Sequence, residues 1–442
     1  MKLHRILRGL TESIAAIALV GSVMDGQAPS SLSAEVKAAY AQSELLYRHF
    51  HQNPELSLRE TQTAERLGTE LRAAGFEVTT GVGKTGVVAV LKNGAGPTVM
   101  LRTDMDALPI TENTGLAFAS KVKTKDDAGN EVGVMHACGH DLHMAALVGT
   151  ARVMAGSRDS WSGTLVLIGQ PAEEITAGAR AMLADGLYTR FPKPDVIIAV
   201  HDDARFASGL VGARAGPVMS NSDSYKIRIF GRGGHGARPE TTIDPIVIAS
   251  RTILALQTIV SREISPLDPS VITVGSIHGG TKHNIIPDEV ELLLTVRSFT
   301  DSVRTKLVNA IDRVVKAEAI AGGATTPPSI QRTIGATALS NDAELTRRVL
   351  SALARDLGAE RVIDAGPEMV SEDFSEFQRD GVPGLMLRVG ALEPAKVASV
   401  RSKGGTLPGL HSAQFAPHLE PTMQTAIASE VIALRELMPR KK

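Results

Sequence analysis

The chain has 442 residues, and its 48 acidic and 47 basic residues leave a formal net charge of -1. This balance argues against a nucleic-acid or anionic-membrane partner, because both select a basic face. With 43% hydrophobic and 21% charged residues the composition excludes a disordered chain and suits about two to three globular domains, while the single cysteine excludes an internal disulfide.

The first residues have the pattern of an export signal. Three basic residues precede the apolar run SIAAIALVGSVM, and small residues follow it near position 28. The run is too short to cross a bilayer. We expect a signal peptide over residues 1–28 and a mature chain that works outside the cytoplasm, in the periplasm or as a secreted protein. Glu12 is awkward inside a signal, so the alternative is an amphipathic helix on a cytoplasmic protein.

Apolar periodicity predicts two helices between residue 33 and Gly75. The strand-like runs FEVTTGV, GVVAVLK and PTVMLRTD follow, and NGAG between the last two predicts a hairpin. Next come a helix in DLHMAALVGTARVMAG with Asp141 as its N-cap, a strand in GTLVLIGQ, a helix in AGARAMLADG and a strand in DVIIAVH. Nearly continuous apolar strands that alternate with helices indicate an α/β fold with a mixed, largely parallel sheet covered by helices.

The pattern changes near residue 217. Strand DSYKIRIFG, a long helix, strands SVITVGSIHGG and EVELLLTVRSF, another long helix and strand-like SIQRTIG follow in the ferredoxin-like order β-α-β-β-α-β. The α/β pattern then returns and ends in a helix. We therefore predict a catalytic domain made of residues 29–216 and 335–442, interrupted by an inserted ferredoxin-like domain over residues 217–334.

Two glycine-rich runs and one absent motif exclude other functions. GVGKTG at 81–86 looks like a phosphate-binding loop, but Val78 stands where the Walker pattern needs glycine and no long helix follows. The run is more typical of a turn between strands. GRGGHG at 231–236 matches no phosphate fingerprint. A serine hydrolase is poorly supported, because no G-x-S-x-G elbow is present.

The run MHACGHDLHMAAL at 135–147 places three histidines around the only cysteine, Cys138. On extended backbone before the helix, Cys138 and His140 would point to one side. A thiolate and an imidazole that converge suit zinc or another first-row divalent ion. The alternative is a buried structural cysteine beside a capping aspartate.

Further metal-ligand residue types follow predicted strands, where open α/β sheets place their sites. These residues are Asp104, Asp106, Glu173, Glu174, His201 and His411. Adjacent carboxylates usually point in different directions, so one of Glu173 and Glu174 can bind metal while the other faces a water. Two acids at an exposed helix N-terminus are the alternative explanation. The number of such positions favours a metal site.

Seven motifs occur in order over about residues 40–420: HQNPELS, LRTDMDALP, MHACGHDLH, GQPAEE, GRGGHGARPE, HNIIPDEV and SEDF. Together they resemble the M20 metallopeptidase superfamily, and in particular its amidohydrolases, which include auxin-conjugate hydrolases, hippurate hydrolases and N-acyl-amino-acid deacetylases. The resemblance covers nearly the whole mature chain. It implies a catalytic α/β domain interrupted by a ferredoxin-like lid that dimerises, in agreement with the predicted insertion.

The resemblance also implies roles for individual residues. The ligands of a two-metal centre would be Cys138, His140, Glu174, His201 and His411. Glu173 would be the general base, and Asp106 would orient the ligands. His235 would enter the partner subunit's active site and stabilise the oxyanion, while Asn284 and Arg297 would hold the substrate's carboxylate. A solvated strand face is the alternative for Arg297.

Two departures from the family pattern are visible. HDDA adds Asp202 and Asp203 after the strand-end histidine, and this negative charge could alter the number of metals or disfavour anionic substrates. VSEDF replaces a more glycine-rich version of that motif. Neither departure removes a predicted ligand, so the expected activity stands.

The resemblance implies a metal-dependent amidohydrolase that cleaves acetyl-, benzoyl- or indoleacetyl-type N-acyl amino acids to a carboxylic acid and an amino acid. Two divalent ions per subunit, zinc or manganese with cobalt or nickel as alternatives, would activate a water whose proton Glu173 takes. We expect a homodimer formed through residues 217–334, no nucleic-acid partner and no membrane span. A dipeptidase or carboxypeptidase on the same scaffold and a catalytically silent binding protein are the alternatives.

Overall fold

The computed structural model describes residues 31–440, so the export signal predicted for residues 1–28 lies outside the described part. Its α-helices are α1 (Ser31–Gln52), α2 (Thr61–Ala73), α3 (His140–Gly156), α4 (Gly178–Ala184), α5 (Leu187–Arg190), α6 (Pro245–Thr258), α7 (Asp301–Ala321), α8 (Ala343–Leu357), α9 (Pro394–Ser402) and α10 (Leu419–Leu437). Among these residues no helix has both the length and the apolar character needed to cross a membrane.

The strands of the described part form one large sheet, one four-stranded sheet and three small pairs. They are β1 (Glu77–Val82), β2 (Gly86–Asn93), β3 (Thr98–Asp104), β4 (Lys123–Lys125), β5 (Glu131–Gly133), β6 (Gly163–Gln170), β7 (Val196–Ala207), β8 (Val211–Gly212), β9 (Gly216–Met219), β10 (Asn221–Phe230), β11 (Gly234–His235), β12 (Ser270–His278), β13 (Ile285–Ile286), β14 (Glu289–Ser298), β15 (Ser329–Ile334), β16 (Leu339–Asn341), β17 (Val362–Ile363) and β18 (Gly384–Leu392).

The large sheet has the strand order β1-β2-β6-β3-β7-β18-β8-β17. Its centre is parallel, because β3 pairs in parallel with β6 and β7, and β7 pairs in parallel with β18. Successive residues of the central strands alternate between two apolar cores, one packed against α1, α3, α8 and α10 and the other against α4 and α5. The predicted mixed, largely parallel sheet covered by helices is therefore confirmed.

The hairpin predicted between β2 and β3 is wrong. Strand β6 lies between them, antiparallel to β2 and parallel to β3, so the two consecutive strands never pair. The hairpin in this region is instead β1–β2, and GVGKTG forms its turn, as the sequence predicted for that run. A short glycine-rich link cannot distinguish a hairpin from a connection whose gap is filled by a later strand.

The four-stranded sheet is antiparallel in the order β12-β14-β10-β15. With α6 and α7 it forms the predicted β-α-β-β-α-β succession. Its buried residues make a separate core drawn from residues 225–315, because β10 alternates buried and partly exposed side chains and offers one apolar face to the helices. The boundaries at residues 217 and 334 and a role as a lid stay predictions.

The separation of the two cores can be tested through the single tryptophan. Trp161 belongs to the core of the large sheet, whereas Leu292 is fully buried in the core of the four-stranded sheet. We expect Leu292→Ala to destabilise the smaller core by about 2–5 kcal/mol. In urea, the far-UV circular dichroism should then begin to change at lower concentration while the Trp161 fluorescence midpoint stays unchanged.

Leu434→Ala is the matched control, because Leu434 is equally buried in the core that contains Trp161. It should shift the fluorescence midpoint directly. An equal shift of both signals in Leu292→Ala would show that the two cores unfold as one unit.

Candidate active site

The candidate site lies at the carboxyl ends of three neighbouring strands. Strand β3 ends at Asp104 and β6 ends at Gln170, and these two residues are paired in register. Strand β7 stops pairing with β3 at Ala199 but continues alongside β18, so His201 lies where the β3 side of β7 is open. His201 is therefore inside a strand that runs on to Ala207, rather than at its end as the sequence predicted.

The predicted N-cap of α3 is wrong. Helix α3 begins at His140, its N-cap is Gly139, and Asp141 lies inside the first turn, where its carboxylate contacts His51 at 2.7 Å. Gly139 has φ +79°, and a Cβ atom there would lie 2.6 Å from a carboxylate oxygen of Asp202. The chain before α3 is thus a tight turn that needs glycine, rather than the extended segment expected.

The turn nevertheless brings the five predicted metal ligands together. The Cys138 Sγ lies 3.7 Å from His201 Nε2. Glu174 is central, because its carboxylate lies 3.9 Å from His140 Nε2 and 3.3 Å from His411 Nε2. The ligand atoms of Cys138, Glu174 and His411 also lie within 4.8 Å of one another. Residues from four distant stretches of chain therefore converge on one point.

The hydrogen bonds around these side chains fit a divalent ion. His140 Nδ1 lies 2.7 Å from the Asp106 carbonyl oxygen and His201 Nδ1 lies 2.7 Å from the Asp202 carbonyl oxygen, so in the neutral form of each imidazole Nδ1 carries the proton and Nε2 is available to bind a metal. In the described part, His140 Nε2 and Glu174 Oε1 are buried without any hydrogen-bond partner. Burial and the nearby Glu174 and Glu173 carboxylates raise the pKa of the Cys138 thiol, so its thiolate needs a cation.

Asp106 lies behind this cluster and is hydrogen-bonded to several of its members. Its carboxylate accepts hydrogen bonds from the backbone N–H groups of Glu173 and Glu174 at 3.1 and 3.0 Å, and from the Ser57 hydroxyl at 2.6 Å. Its carbonyl oxygen accepts from His140. One buried aspartate thus fixes a ligand imidazole and both adjacent glutamates.

Glu173 lies between the cluster and two further acids: its carboxylate is 3.9 Å from His140 Nε2, and it also lies within 4.8 Å of carboxylate oxygens of Glu372 and Asp373. Burial, followed by the charge of Glu372, raises the pKa of Glu173 well above its usual value, which suits a group that must accept and return a proton. The fully buried Arg102 holds this region together, with contacts of 2.7 Å to Glu372 and 2.6 Å to Asp104. Arg102 was not among the predicted site residues, although an arginine inside an apolar strand is a signal visible in the sequence.

His143 and the two additional aspartates, Asp202 and Asp203, lie beside the cluster and have different partners. His143 Nδ1 donates to Asp104 at 2.7 Å, and its Nε2 accepts the Asp202 backbone N–H at 2.9 Å. Asp203 contacts Arg388 at 3.1 Å and Arg205 at 2.6 Å. The charge of Asp203 is thus offset by arginines, whereas His143 belongs with Asp104, His140 and His201 to a buried group of side chains that could hold a metal ion.

Two non-glycine residues next to the cluster adopt left-handed backbone conformations. Ala172, which precedes Glu173, has φ +50°, and His411 has φ +63°. Such conformations are costly for residues with a Cβ and concentrate at functional sites. The His411 backbone N–H donates to the Ala137 carbonyl oxygen at 2.8 Å, which ties the His411 loop to the cysteine turn.

A cavity of about 1190 Å³ opens beside the cluster and is lined by Cys138, Glu173, Glu174, His201 and His411. Arg297 of β14 reaches the same cavity, where its Nη1 donates to Ser371 Oγ at 2.9 Å. Burial lowers the pKa of Arg297, and no carboxylate pairs with it within residues 31–440. His235 lies on β11, and Asn284 directly precedes the paired strand β13, so the two residues are neighbours. Both are exposed, and neither lines this cavity.

The chain belongs to peptidase family M20/M25/M40, whose sequence pattern matches residues 100–401. It is therefore a hydrolase that acts on amide bonds, and the resemblance seen in its motifs is confirmed.

Individual relatives agree with this family. The chain is 39% identical over 338 residues to N-acetyl-L-cysteine deacetylase of Bacillus subtilis, covering 76% of this chain and 77% of that protein. It is 37% identical over 392 residues to thermostable carboxypeptidase 1 of Saccharolobus solfataricus, covering 88% and 93%. The Bacillus subtilis YxeP protein, a dinuclear metal binding peptidase from the M20 family, matches with a TM-score of 0.73 and 29% identity, covering 91% of this chain and 98% of that one.

The ligand set can be tested by metal analysis without any substrate. Cys138→Ala removes the thiolate and should lose most of its bound divalent metal after dialysis, measured by inductively coupled plasma mass spectrometry. Glu173→Ala is the matched control: it removes a neighbouring buried carboxylate but no ligand, and should retain the wild-type metal content. Unchanged metal in Cys138→Ala would contradict the ligand assignment.

Proposed function

We propose that this chain is a dinuclear metal-dependent amidohydrolase that cleaves N-acyl amino acids to a carboxylic acid and an amino acid. The observation that carries the proposal is the convergence of Cys138, His140, Glu174, His201 and His411 beside a free carboxylate, Glu173, in one cavity. The similarity to a deacetylase of an N-acetyl amino acid supports this substrate class.

The chain's own residues account for each requirement of amide hydrolysis. Divalent ions bound at the cluster would supply the Lewis acidity that activates a water and polarises the amide carbonyl. Glu173 takes the proton of the attacking water and returns it to the leaving amine. Arg297, which lines the cavity and has no carboxylate partner within residues 31–440, binds the carboxylate of the amino acid. His140 Nε2 lies 3.9 Å from the carboxylates of both Glu173 and Glu174, so an ion held by His140 and Glu174 would lie next to Glu173.

The donor set supports two ions of zinc or manganese per subunit, with cobalt or nickel as alternatives. One thiolate, three imidazoles and a carboxylate offer more ligand atoms than one tetrahedral ion uses, and Glu174 has an oxygen towards His140 and another towards His411. Sulfur, nitrogen and oxygen donors together are compatible with each of these metals, so availability decides between them.

We further propose that the chain is exported by residues 1–28 and works as a homodimer formed through residues 217–334. The position of His235 supports a dimer, because it is exposed on the inserted unit and does not line the cavity of its own chain. In a symmetric dimer the partner subunit's His235 would stabilise the oxyanion. Asn284, next to it across the β11–β13 pair, would assist in binding the substrate's carboxylate.

A carboxypeptidase or dipeptidase is the second candidate, since one relative is a carboxypeptidase. A dipeptide with a free amine needs a carboxylate to pair with its ammonium. In the described part, every cavity acid except Glu173 and Glu174 is already paired with an arginine: Asp203 and Glu368 with Arg205 and Arg388, Asp364 with Arg214 and Glu372 with Arg102. This pairing favours an uncharged acyl nitrogen.

The substrate class can be tested with a panel of acetyl-, benzoyl- and indoleacetyl-amino acids against the corresponding dipeptides, using enzyme of assayed metal content. Because an unpaired ammonium is costly to bury, we expect kcat/KM for the best acyl-amino acid to exceed that for dipeptides by at least about tenfold. A preference for free-amine dipeptides would favour the peptidase, and no metal-dependent turnover of any compound would favour a silent binding protein.

The role of Glu173 gives a separate test. Glu173→Ala should lower kcat by a factor of about 10²–10⁴, because the water loses its proton acceptor, while metal content stays unchanged. Glu430→Gln is a suitable control, since Glu430 is also a buried glutamate but contacts Thr150 rather than the site. Full activity in Glu173→Ala would exclude it as the general base.

The proposed action of His235 in the active site of the partner subunit can be tested by complementation. Glu173→Ala and His235→Ala subunits are coexpressed with two different tags, and the heterodimer is isolated on both. One of its two sites then combines an intact Glu173 with the partner subunit's His235, so we expect about half of the wild-type activity from two variants that are inactive alone. An inactive heterodimer, or failure to isolate any, would contradict the shared site.

A further inference from the structure

Residues 51–60, which comprise the last two residues of α1 and the loop before α2, contact three separate elements of the site. His51 Nδ1 lies 2.7 Å from Asp141 Oδ2 in the first turn of α3. Ser57 Oγ donates to Asp106 Oδ2 at 2.6 Å, just after β3. These contacts join positions 90 and 49 residues apart in sequence.

The third contact comes from Glu60, which is fully buried. Its Oε1 accepts the backbone N–H of Ala172 at 2.8 Å, after the end of β6, and its Oε2 accepts the Thr85 hydroxyl at 2.6 Å. Ala172 is the residue with φ +50° that directs the chain into Glu173. Glu60 therefore holds the strained backbone that places the general base and the ligand that follows it.

We propose that residues 51–60 form a positioning segment for the metal centre, with Ser57 and Glu60 as positioning residues. The inference rests on the proposed metal-dependent function, because the segment would serve to hold the metal ligands in place. Ser57 acts through Asp106, whose carboxylate fixes the N–H groups of Glu173 and Glu174. Glu60 acts through Ala172.

The Ser57 hydrogen bond orients the Asp106 carboxylate and does more than connect two loops. Ser57 donates to a carboxylate that itself accepts two backbone N–H groups, so removing the hydroxyl takes away one of the three hydrogen bonds that fix the Asp106 carboxylate under the glutamate loop. A backbone bond from the Ala107 N–H to the Glu55 carbonyl oxygen at 2.8 Å already holds the same two segments together. The hydroxyl is thus dispensable for joining the segments and specific for orienting Asp106.

The test compares Ser57→Ala with Ser43→Ala. Ser43 is a fully buried serine of α1 whose hydroxyl has no partner in the described part and lies outside the site. Residues that orient metal ligands typically change metal affinity by about 10–100-fold when lost. We expect Ser57→Ala to weaken binding of Co²⁺ by that factor in calorimetric titration and to shift the thiolate-to-cobalt absorption band, while Ser43→Ala changes neither.

A pair of variants at Glu60 provides the rescue. Glu60→Gln keeps an oxygen for the Ala172 N–H and should bind Co²⁺ within about threefold of wild type, whereas Glu60→Leu should lose affinity as Ser57→Ala does. Thermal unfolding by circular dichroism accompanies each titration, so that loss of fold is recognised. If Glu60→Leu does not fold, Ser57→Ala alone decides.

The outcomes separate the two proposals. A wild-type chain that binds no divalent metal would overturn the proposed function. A wild-type chain that binds cobalt, together with Ser57→Ala that binds it as tightly and with the same absorption as Ser43→Ala, would overturn the positioning segment and leave the function standing.

Discussion

Burial of many carboxylates and imidazoles at one edge of a parallel sheet is the constraint on which this structure depends. A charged group taken out of water costs several kcal/mol unless it is compensated. The chain compensates some acids with its own cations, as where Arg102 contacts Glu372 and Asp104. Others, such as Glu174, lie among imidazoles and a thiol and have no arginine or lysine partner within residues 31–440. The acids paired with arginine are thereby held by the protein itself, whereas the acids of the cluster around Glu174 are left to bind cations from solution.

This division explains the local backbone. Ligands that must converge from separate strands need sharp changes of direction, and the chain makes them at Gly139, Ala172 and His411, all with positive φ. The core beneath supplies the stability that such conformations cost, since the central strands are almost entirely buried on both faces. The early termination of pairing between β3 and β7 leaves the space that the ligands occupy.

Much of this arrangement could be predicted from the sequence, because it is local. Continuous apolar runs identify the parallel strands, alternation in β10 identifies the second sheet, and the ligand motifs follow strand ends. The failures are non-local. The β2–β3 hairpin failed because β6, encoded some 70 residues later, takes the intervening place. The cap at Asp141 failed because the turn at Gly139 starts the helix at His140, and one oxygen of the Asp141 carboxylate contacts His51, 90 residues earlier. A short sequence motif carries no information about which distant segments will contact it in the folded chain.

Pairing with residues distant in sequence also determines how the additional aspartates affect the charge of the cavity. From sequence alone, Asp202 and Asp203 add negative charge beside the metal ligands and would repel an anionic substrate. In the structure Asp203 and Glu368 are neutralised by arginines, while Arg297 and Arg401 line the cavity without a carboxylate partner among residues 31–440. Once cations offset the acids of the metal cluster, the rest of the cavity carries excess positive charge. That charge attracts a substrate with a carboxylate and opposes one with a free ammonium, which is the distinction between an acylated amino acid and a dipeptide.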